Sequence, residues 1–379
     1  MNKILYIAPF RDFSGYATAA RGYLKALDMA GADIVARAIK YDMADPGTQH
    51  VPSELERRLL AKPLDKFNIV VQHVTPNEMR PFSNCKNIAV CAWETDKIPK
   101  YWADNLNRFD KIITFCQTTK KAFEGNGVTR PVFVVPHCFD MATYANLDSV
   151  EKLKVGDDTL LKDRHIFYNI SQLSQKKGLD ALIKAYFTEF CHDEDVLLVM
   201  KTYIGMSARQ NEREKVVGFI NQIKGALKLP RYPQVVIITQ TMTEHQIKRL
   251  HATGHTYVCS SRGEGWNIPA FEALAYGNKL VTTDWGGMSE FIKPKEYKEL
   301  FKGYLPGVFP VMGSLEPVFG QAHPDPELYT AEEKWFEPSV TSMGKAMREA
   351  KNAGLCKKVN LDHFDHAIVG KQMLGVIQS

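Results

Sequence analysis

Apolar residues along this chain come in short, nearly unbroken runs separated by stretches of helical period. KILYIAPF (3–10), ADIVARAI (32–39), FNIVVQHV (67–74), NIAVCAW (87–93), KIITFC (111–116) and PVFVVP (131–136) are rich in β-branched residues. A strand with one wet face alternates apolar and polar positions. A strand covered on both faces does not, so these runs predict the buried strands of a parallel sheet. Helix-like segments lie between them, among them TAARGYLKALDMAG (18–31) and QTTKKAFEGNG (117–127). The second closes on glycines, which suit a helix C-terminus. Over 141–164 the rhythm gives way to polar and charged residues, as in an interdomain linker.

A second series then begins. HIFYNI (165–170), VLLVMKT (196–202), VVIITQ (235–240), TYVCSS (256–261) and KLVTTD (279–284) read as strands. Helical patterns cover 178–190, 208–227, 243–252 and 269–277 between them. The segment 293–337, broken by prolines and glycines, predicts loop with little regular structure, and helical patterns over 339–354 and 363–378 close the chain. The expected fold class is therefore α/β: two doubly wound, Rossmann-like parallel-sheet domains facing each other, over 1–150 and 160–355.

Composition narrows the class. A chain of 379 residues is comfortable for two domains, and 45% hydrophobic with 24% charged residues is ordinary for a soluble globular protein. No apolar run is long enough to cross a bilayer, which leaves only peripheral membrane contact open. MNKILYIAPF is too short an apolar run for a signal segment and reads as a first strand. Seven scattered cysteines without a CxxC pair fit reduced thiols in the cytoplasm rather than a disulfide or zinc framework. The net charge of +5 is interspersed, without the basic stripe of a nucleic-acid footprint.

In open α/β sheets a ligand sits beyond the carboxyl ends of the strands. Here those ends carry Arg11 to Gly15, His73, Trp93-Glu94, Cys116, His137, Ser171, Lys201, Gln240, Ser260 to Trp266, and Asp284 to Gly287. The richest is 262-RGEGWNIPAFEALAYG-277. Pro269 suits the first position of a helix, so the backbone amides of Gly265, Trp266, Asn267 and Ile268 would gather at its N-terminus, where phosphate binds well. Glu264 stands just before this helix and Glu272 in its first turn, so both carboxylates can meet one ligand. Phosphate repels carboxylates, and hydroxyls are their better partners. A ligand with a diphosphate in the middle and hydroxyls at both ends, a sugar nucleotide, satisfies both demands. The alternative is that the acids merely complement the helix dipole.

The stretch 260-SSRGEGWNIPAFEALAYGNKLVTTDWGGMSEFI-292 resembles the donor-binding core of retaining, metal-independent glycosyltransferases of the GT-B fold, family 4. Their pattern is similar to EGFGLPxxEAMAxGxPVVxxxxGGxxE, and Glu264, Glu272, Gly277, Gly286, Gly287 and Glu290 fall in place. The opening ILYIAPFRDFSGYATAARGYLKAL, 110-DKIITFCQTTKKAFEGNGV-128, 131-PVFVVPHCFD-140 and 335-WFEPSV-340 are also similar to the family. The resemblance implies that Glu272 holds the ribose hydroxyls, Glu264 the hydroxyls of the donor sugar, and the amides of Gly265 to Ile268 the sugar and diphosphate. Gly15 would let the first loop approach the diphosphate. In 169-NISQLSQKKGLDALIKAYF-187, Lys177 matches the family's lysine before glycine, but Ser171 or Gln172 replaces its arginine. Lys176, Lys201 and Arg262 are the candidates to compensate. Where many members carry a histidine, this chain has Trp93-Glu94, and Glu94 is the candidate polar contact. By the same resemblance the helix at 363–378 packs back on the first domain.

The formal DxD match 193-DED-195 precedes a strand, at the wrong end for the ligand, and reads as a solvated turn. The expectation is no cofactor and no metal, with a nucleotide-sugar donor, UDP- or GDP-linked in the first instance. The implied reaction moves the sugar with retention to an acceptor hydroxyl on a saccharide, a lipid-linked glycan or a surface polymer. Transfer to a hydroxylated base in DNA is the alternative acceptor. A sugar-nucleotide epimerase and a non-catalytic sugar-nucleotide-binding protein are the alternatives on the same fold.

Overall fold

The computed structural model describes residues 2–12, 14–39, 50–144, 150–154, 161–204, 211–294, 303–319 and 328–379. The expected linker (141–164), the start of the helix at 208–227 and the segment 293–337 lie partly outside the described residues. The first series is β1 (Lys3–Ala8), α1 (Gly15–Met29), β2 (Asp33–Ala38), α2 (Glu54–Ala61), β3 (Ile69–His73), β4 (Lys86–Val90), α3 (Lys100–Leu106), β5 (Lys111–Thr114), α4 (Gln117–Gly125) and β6 (Val132–Val134). The second is β7 (His165–Gln172), α5 (Leu179–Glu189), β8 (Val196–Tyr203), α6 (Glu212–Leu227), β9 (Val235–Ile238), α7 (Glu244–Thr253), β10 (Thr256–Val258), α8 (Ile268–Tyr276) and β11 (Lys279–Thr283). After it come β12 (Val308–Val311), β13 (Gly313–Pro317), β14 (Lys334–Pro338), α9 (Val340–Asn352) and α10 (His366–Gln378).

Two units emerge. One comprises Met1–Met141, Val318–Lys334 and Leu361–Ser379, the other Ala142–Pro317 and Trp335–Asn360. In the first, six parallel strands run in the order β2-β1-β3-β4-β5-β6. In the second, the order is β12-β11-β10-β7-β8-β9, again parallel throughout. The central strands are the buried apolar runs: every residue of β3 is buried, and every residue of β8 but its last. Each unit is thus a doubly wound sheet with helices on its faces.

Side chains fill the two cores in different ways. The second unit packs Phe167, Tyr186, Phe187 and Phe190 with Met343 and Met347 of α9. The first packs Trp93 on Trp102, with ring centroids 4.6 Å apart, beside Phe109 and Phe123. The C-terminal α10 lies on α1 so closely that a Cβ on Gly370 would stand 2.1 Å from the Ala26 carbonyl oxygen.

Two expectations need correction. The segment 293–337 is not structureless where it is described: β12 extends the second sheet, and β13 pairs with β14. β12 tolerates Pro310 because it is an edge strand, where a missing N–H breaks no ladder bond on the open side. Helix α8 starts at Ile268, with Asn267 as its N-cap and Pro269 second, so Glu272 sits in its second turn rather than its first.

Candidate active site

The second sheet reverses its winding between β7 and β10, because the chain builds β8 and β9 to one side of β7 and β11 and β12 beyond β10. A crevice at the carboxyl ends of such strands is where α/β sheets bind ligands. Two loops meet there. One follows β7, forms a single turn over Gln175–Lys177 and leaves it through Gly178 at φ 61°. The other follows β10 and leads into α8.

Backbone geometry stitches the two loops together. The Arg262 N–H donates to the Lys176 carbonyl at 2.8 Å, and the Ser260 hydroxyl to the Lys177 carbonyl at 2.9 Å. A Cβ on Gly178 would stand 2.2 Å from the Ser260 carbonyl oxygen, so only glycine permits this approach. From the other side, the Gly287 N–H donates to the Glu264 carbonyl at 2.9 Å. Cβ atoms on Gly286 and Gly287 would fall 2.5 Å from the Glu264 carbonyl oxygen and 2.3 Å from Trp266 Cα. The GG pair is what lets the strand end after β11 brace the Glu264 loop. A buried Lys293–Asp284 pair at 2.5 Å, with the Tyr304 hydroxyl donating to Asp284 at 3.0 Å, anchors that brace.

Glu264 is buried, its side chain 9% exposed, and three donors converge on a single oxygen. Lys177 Nζ (2.7 Å), the Ser261 hydroxyl (2.6 Å) and Asn267 Nδ2 (3.1 Å) all meet Oε1. Oε2 takes no hydrogen bond among the described residues. Burial opposes ionisation, but the Lys177 ammonium, the Ser261 hydroxyl and the nearby charge of Lys176 outweigh it, so the carboxyl lies below its ordinary value of 4.5. The site therefore holds a buried, ionised carboxylate with one oxygen pinned and the other available.

Asn267 serves both sides of this corner. Its amide oxygen accepts from Ala270 N at 3.0 Å and so caps α8, while its NH2 group turns to Glu264. It does so with φ 73°, a conformation asparagine tolerates better than most residues. The backbone N–H groups of Gly265, Asn267 and Ile268 donate to no acceptor among the described residues. They form a row of donors at the positive end of α8. The side chain that caps the helix is that of Asn267 rather than of either glutamate, and no acid lies in the first turn.

The remaining second-unit residues divide clearly. Lys201, at the end of β8 beside Ile170 of β7, is 8% exposed and has no carboxylate within 4 Å among the described residues. Burial lowers its pKa. The guanidinium of Arg262, a candidate second cation for the diphosphate, is occupied by Asp180 (3.1 Å) and Glu337 (2.7 Å) and stacks 5.5 Å from the Trp335 ring. It ties the loop to α5 and β14 instead. Glu272 lies three-quarters buried on α8, with His251 Nε2 3.5 Å from Oε2. Trp266 points its ring inward, between Phe271 and Phe291. Ser261 and Asn267 as ligands of Glu264 escaped sequence reading, although the polar pair flanks the glutamate at three residues on either side.

In the first unit, Gly15 opens α1 after β1, and a Cβ there would meet nothing within 4 Å. Among the described residues no neighbour demands a glycine at this position. Glu94 is half-buried in the loop after β4, where its neighbour Thr95 hydrogen-bonds the Lys97 carbonyl at 2.8 Å. His73 is fully buried, with Nδ1 2.9 Å from the Tyr6 hydroxyl. The acidic triplet 193–195 lies at the amino end of β8, and Glu194 there holds Arg348 at 3.0 Å. Among the described residues no three His, Cys, Asp or Glu side chains gather as a metal site, and no helix is long and apolar enough to cross a membrane.

Residues 154–307 match the family model for glycosyl transferases group 1. Solved structures are similar over the whole chain. One, from E. coli, is described as trehalose-6-phosphate bound with UDP-2-fluoro glucose: TM-score 0.63, 11% identity, covering 100% of this chain and 99% of that one. The α,α-trehalose 6-phosphate synthase of Burkholderia multivorans gives 0.64 at 12% identity, covering 100% and 98%. A glycosyltransferase from Rickettsia africae gives 0.60 at 12%, covering 100% and 98%. At these identities the likeness is one of fold, and the fold is GT-B, built from two Rossmann-like units. No curated protein matches the chain in sequence.

Proposed function

We propose that this chain is a retaining, metal-independent glycosyltransferase whose second unit binds a nucleotide-sugar donor. One observation carries the reading: at the switch point between β7 and β10, a buried ionised Glu264, pinned by Lys177, adjoins the backbone N–H groups of Gly265, Asn267 and Ile268, which donate to no acceptor among the described residues. A carboxylate so placed has use for a hydroxyl-bearing ligand, and the donor row for an anion. The group 1 match over these residues supports the same reading.

In this reading Oε2 of Glu264 accepts from a hydroxyl of the transferred sugar. The amides of Gly265 to Ile268 receive the diphosphate, and Glu272 takes the ribose diol. Lys177 offers one N–H to Glu264 and keeps two for phosphate, and Lys201 adds a second cation near the same strand ends. Bond making and breaking then balance without a protein base. The anomeric carbon's bond to the diphosphate oxygen breaks, the acceptor oxygen bonds on the same face, and the departing phosphate takes the acceptor's proton. Lys177 and the amides stabilise the charge that develops on the leaving group. The acceptor is proposed to be a saccharide or lipid-linked glycan.

A thermal-shift screen across UDP-, GDP-, ADP-, dTDP- and CDP-sugars tests the donor site, since a ligand bound only by the folded state raises Tm. At least one should do so, UDP-sugars first, because a structure of the same fold holds UDP-2-fluoro glucose. Glu272→Ala should remove the shift. A protein that no nucleotide sugar stabilises would sink the reading, and release of an altered sugar without acceptor would redirect it to an epimerase.

A further inference from the structure

Behind Glu272 the second unit holds a buried polar chain that the reaction above does not use. Asn278, between α8 and β11, donates its side-chain N–H groups to the His251 carbonyl (2.8 Å) and to the Tyr168 hydroxyl oxygen (2.7 Å). A carbonyl only accepts, so the orientation of the Asn278 amide is fixed, and the atom facing Tyr168 is a donor. Tyr168 accepts from Asn278, which leaves its own proton to find an acceptor, and His251 Nδ1 stands 2.8 Å away. With Nδ1 accepting, the ring proton of His251 sits on Nε2.

That N–H is the unusual atom. His251 is fully buried, and its Nε2 has no hydrogen-bond partner among the described residues. It faces Oε2 of Glu272 at 3.5 Å, longer than a good hydrogen bond but within a small side-chain adjustment of one. Folded proteins rarely leave a buried N–H unpaired, and one aimed at a ligand-binding carboxylate has a ready use. Contacts at such sites are often long before the ligand arrives and shorten in the complex.

We propose that His251 is a positioning residue for Glu272: its Nε2–H, directed by the Asn278–Tyr168 relay, closes on Oε2 when a ribose diol engages the carboxylate. The inference rests on Glu272 being the ribose ligand. His251 never touches the reacting atoms, and its effect reaches the donor only through the orientation of Glu272.

Calorimetry with UDP, GDP and ADP, each beside its 2′-deoxy form, separates the two ideas. The wild type should bind one ribonucleotide and bind its deoxy form more weakly. If it binds none, the donor-site reading falls and this proposal falls with it. His251→Phe should weaken the ribo form about tenfold, the effect of losing one hydrogen bond to a charged group, and leave the deoxy form within about twofold. His251→Gln, which restores an N–H, should recover part of the loss. Equal losses for both forms would overturn the proposal while leaving the donor site standing. Should His251→Phe not fold, Tyr168→Phe keeps the ring and removes the directing proton. It should cost about threefold in the ribo form alone. Nitrogen NMR of the wild type gives an independent check: a His251 protonated on Nδ1 would contradict the relay.

Discussion

Both units reverse their winding beside their first strand, the first unit between β1 and β3, the second between β7 and β10, yet the two places are built of different matter. In the second unit the strand ends carry Lys177, Glu264, Ser261 and Asn267 in hydrogen-bond contact, with a carboxylate held charged although buried. In the first, the equivalent ground is aromatic. Tyr6, Tyr16, Tyr23, Phe115 and His137 surround His73, with centroids such as Phe115–His73 at 5.4 Å and Phe115–His137 at 4.3 Å. Burial holds both histidines neutral, well below their ordinary 6.5, with His137 down at about 3. One fold thus supports a charge-holding crevice and a dry aromatic plug. The difference teaches that the doubly wound sheet supplies a place, and that the loops decide whether the place can hold an ion.

Breaking the charged crevice should have the largest effect. Glu264→Gln keeps the shape and the contact to Ser261 but removes the charge that orients Lys177. Transfer should fall by about 10²- to 10³-fold, the usual cost of losing one preorganised electrostatic contact. Circular dichroism should remain that of the folded protein. Activity within tenfold of wild type would mean that Glu264 is structural, and the contrast between the two units would lose its meaning.

Glycines sharpen the comparison next. A Cβ at Gly287 would meet backbone atoms, Trp266 Cα at 2.3 Å and the Gly265 carbonyl oxygen at 2.4 Å, which cannot rotate away. Gly287→Ala should therefore push the Glu264 loop aside and cost about 2–3 kcal/mol of stability, read by chemical denaturation, together with most of the activity. Gly15→Ala in the first unit is the counterpart. The open space around Gly15 and its helical backbone predict no loss, and a gain of up to about 1 kcal/mol from a stiffer unfolded chain. If Gly15→Ala lowers activity while stability holds, the glycine serves a ligand.

Much of this was legible in the sequence, for physical reasons that also mark where legibility stops. Strands buried on both faces write themselves as continuous apolar runs, so β1 to β11 lie where the runs are. Helix α2 has a charged, short sequence, ELERRLLA, whose only signal is the Ser53–Glu56 capping box. β12 and β13 carry prolines, which read as loop until the sheet order shows β12 at an edge. The glutamate spacing of the site was visible because both acids belong to one loop and one helix. What holds Glu264 in place was not: Arg262 to Glu337 and Gly287 to Trp266 are long-range contacts that no local pattern encodes. His251, Tyr168 and Asn278 stand in three different elements or turns, and only the folded chain brings them together.

Acid should separate the two units as well. A neutral buried histidine gives stability that is complete above its unfolded value of 6.5 and is lost as pH falls, because the unfolded chain takes up the proton first. For His137, with a folded value of about 3, the loss should reach about 2 kcal/mol by pH 5. Glu264 also has a lowered value, but its ordinary value is 4.5, so the stability it contributes is still nearly whole at pH 5 and drains away only in stronger acid. Denaturation at pH 7 and pH 5 should accordingly show a fall that His137→Phe narrows and Glu264→Gln leaves unchanged. Below pH 4.5 the second substitution should begin to flatten the curve as well. His165 and His366, at about 3 and 4, contribute to the same descent, so the first substitution narrows the fall without abolishing it. A pH 5 loss equally reduced by both substitutions would show that the aromatic plug and the charged crevice do not titrate as separate bodies.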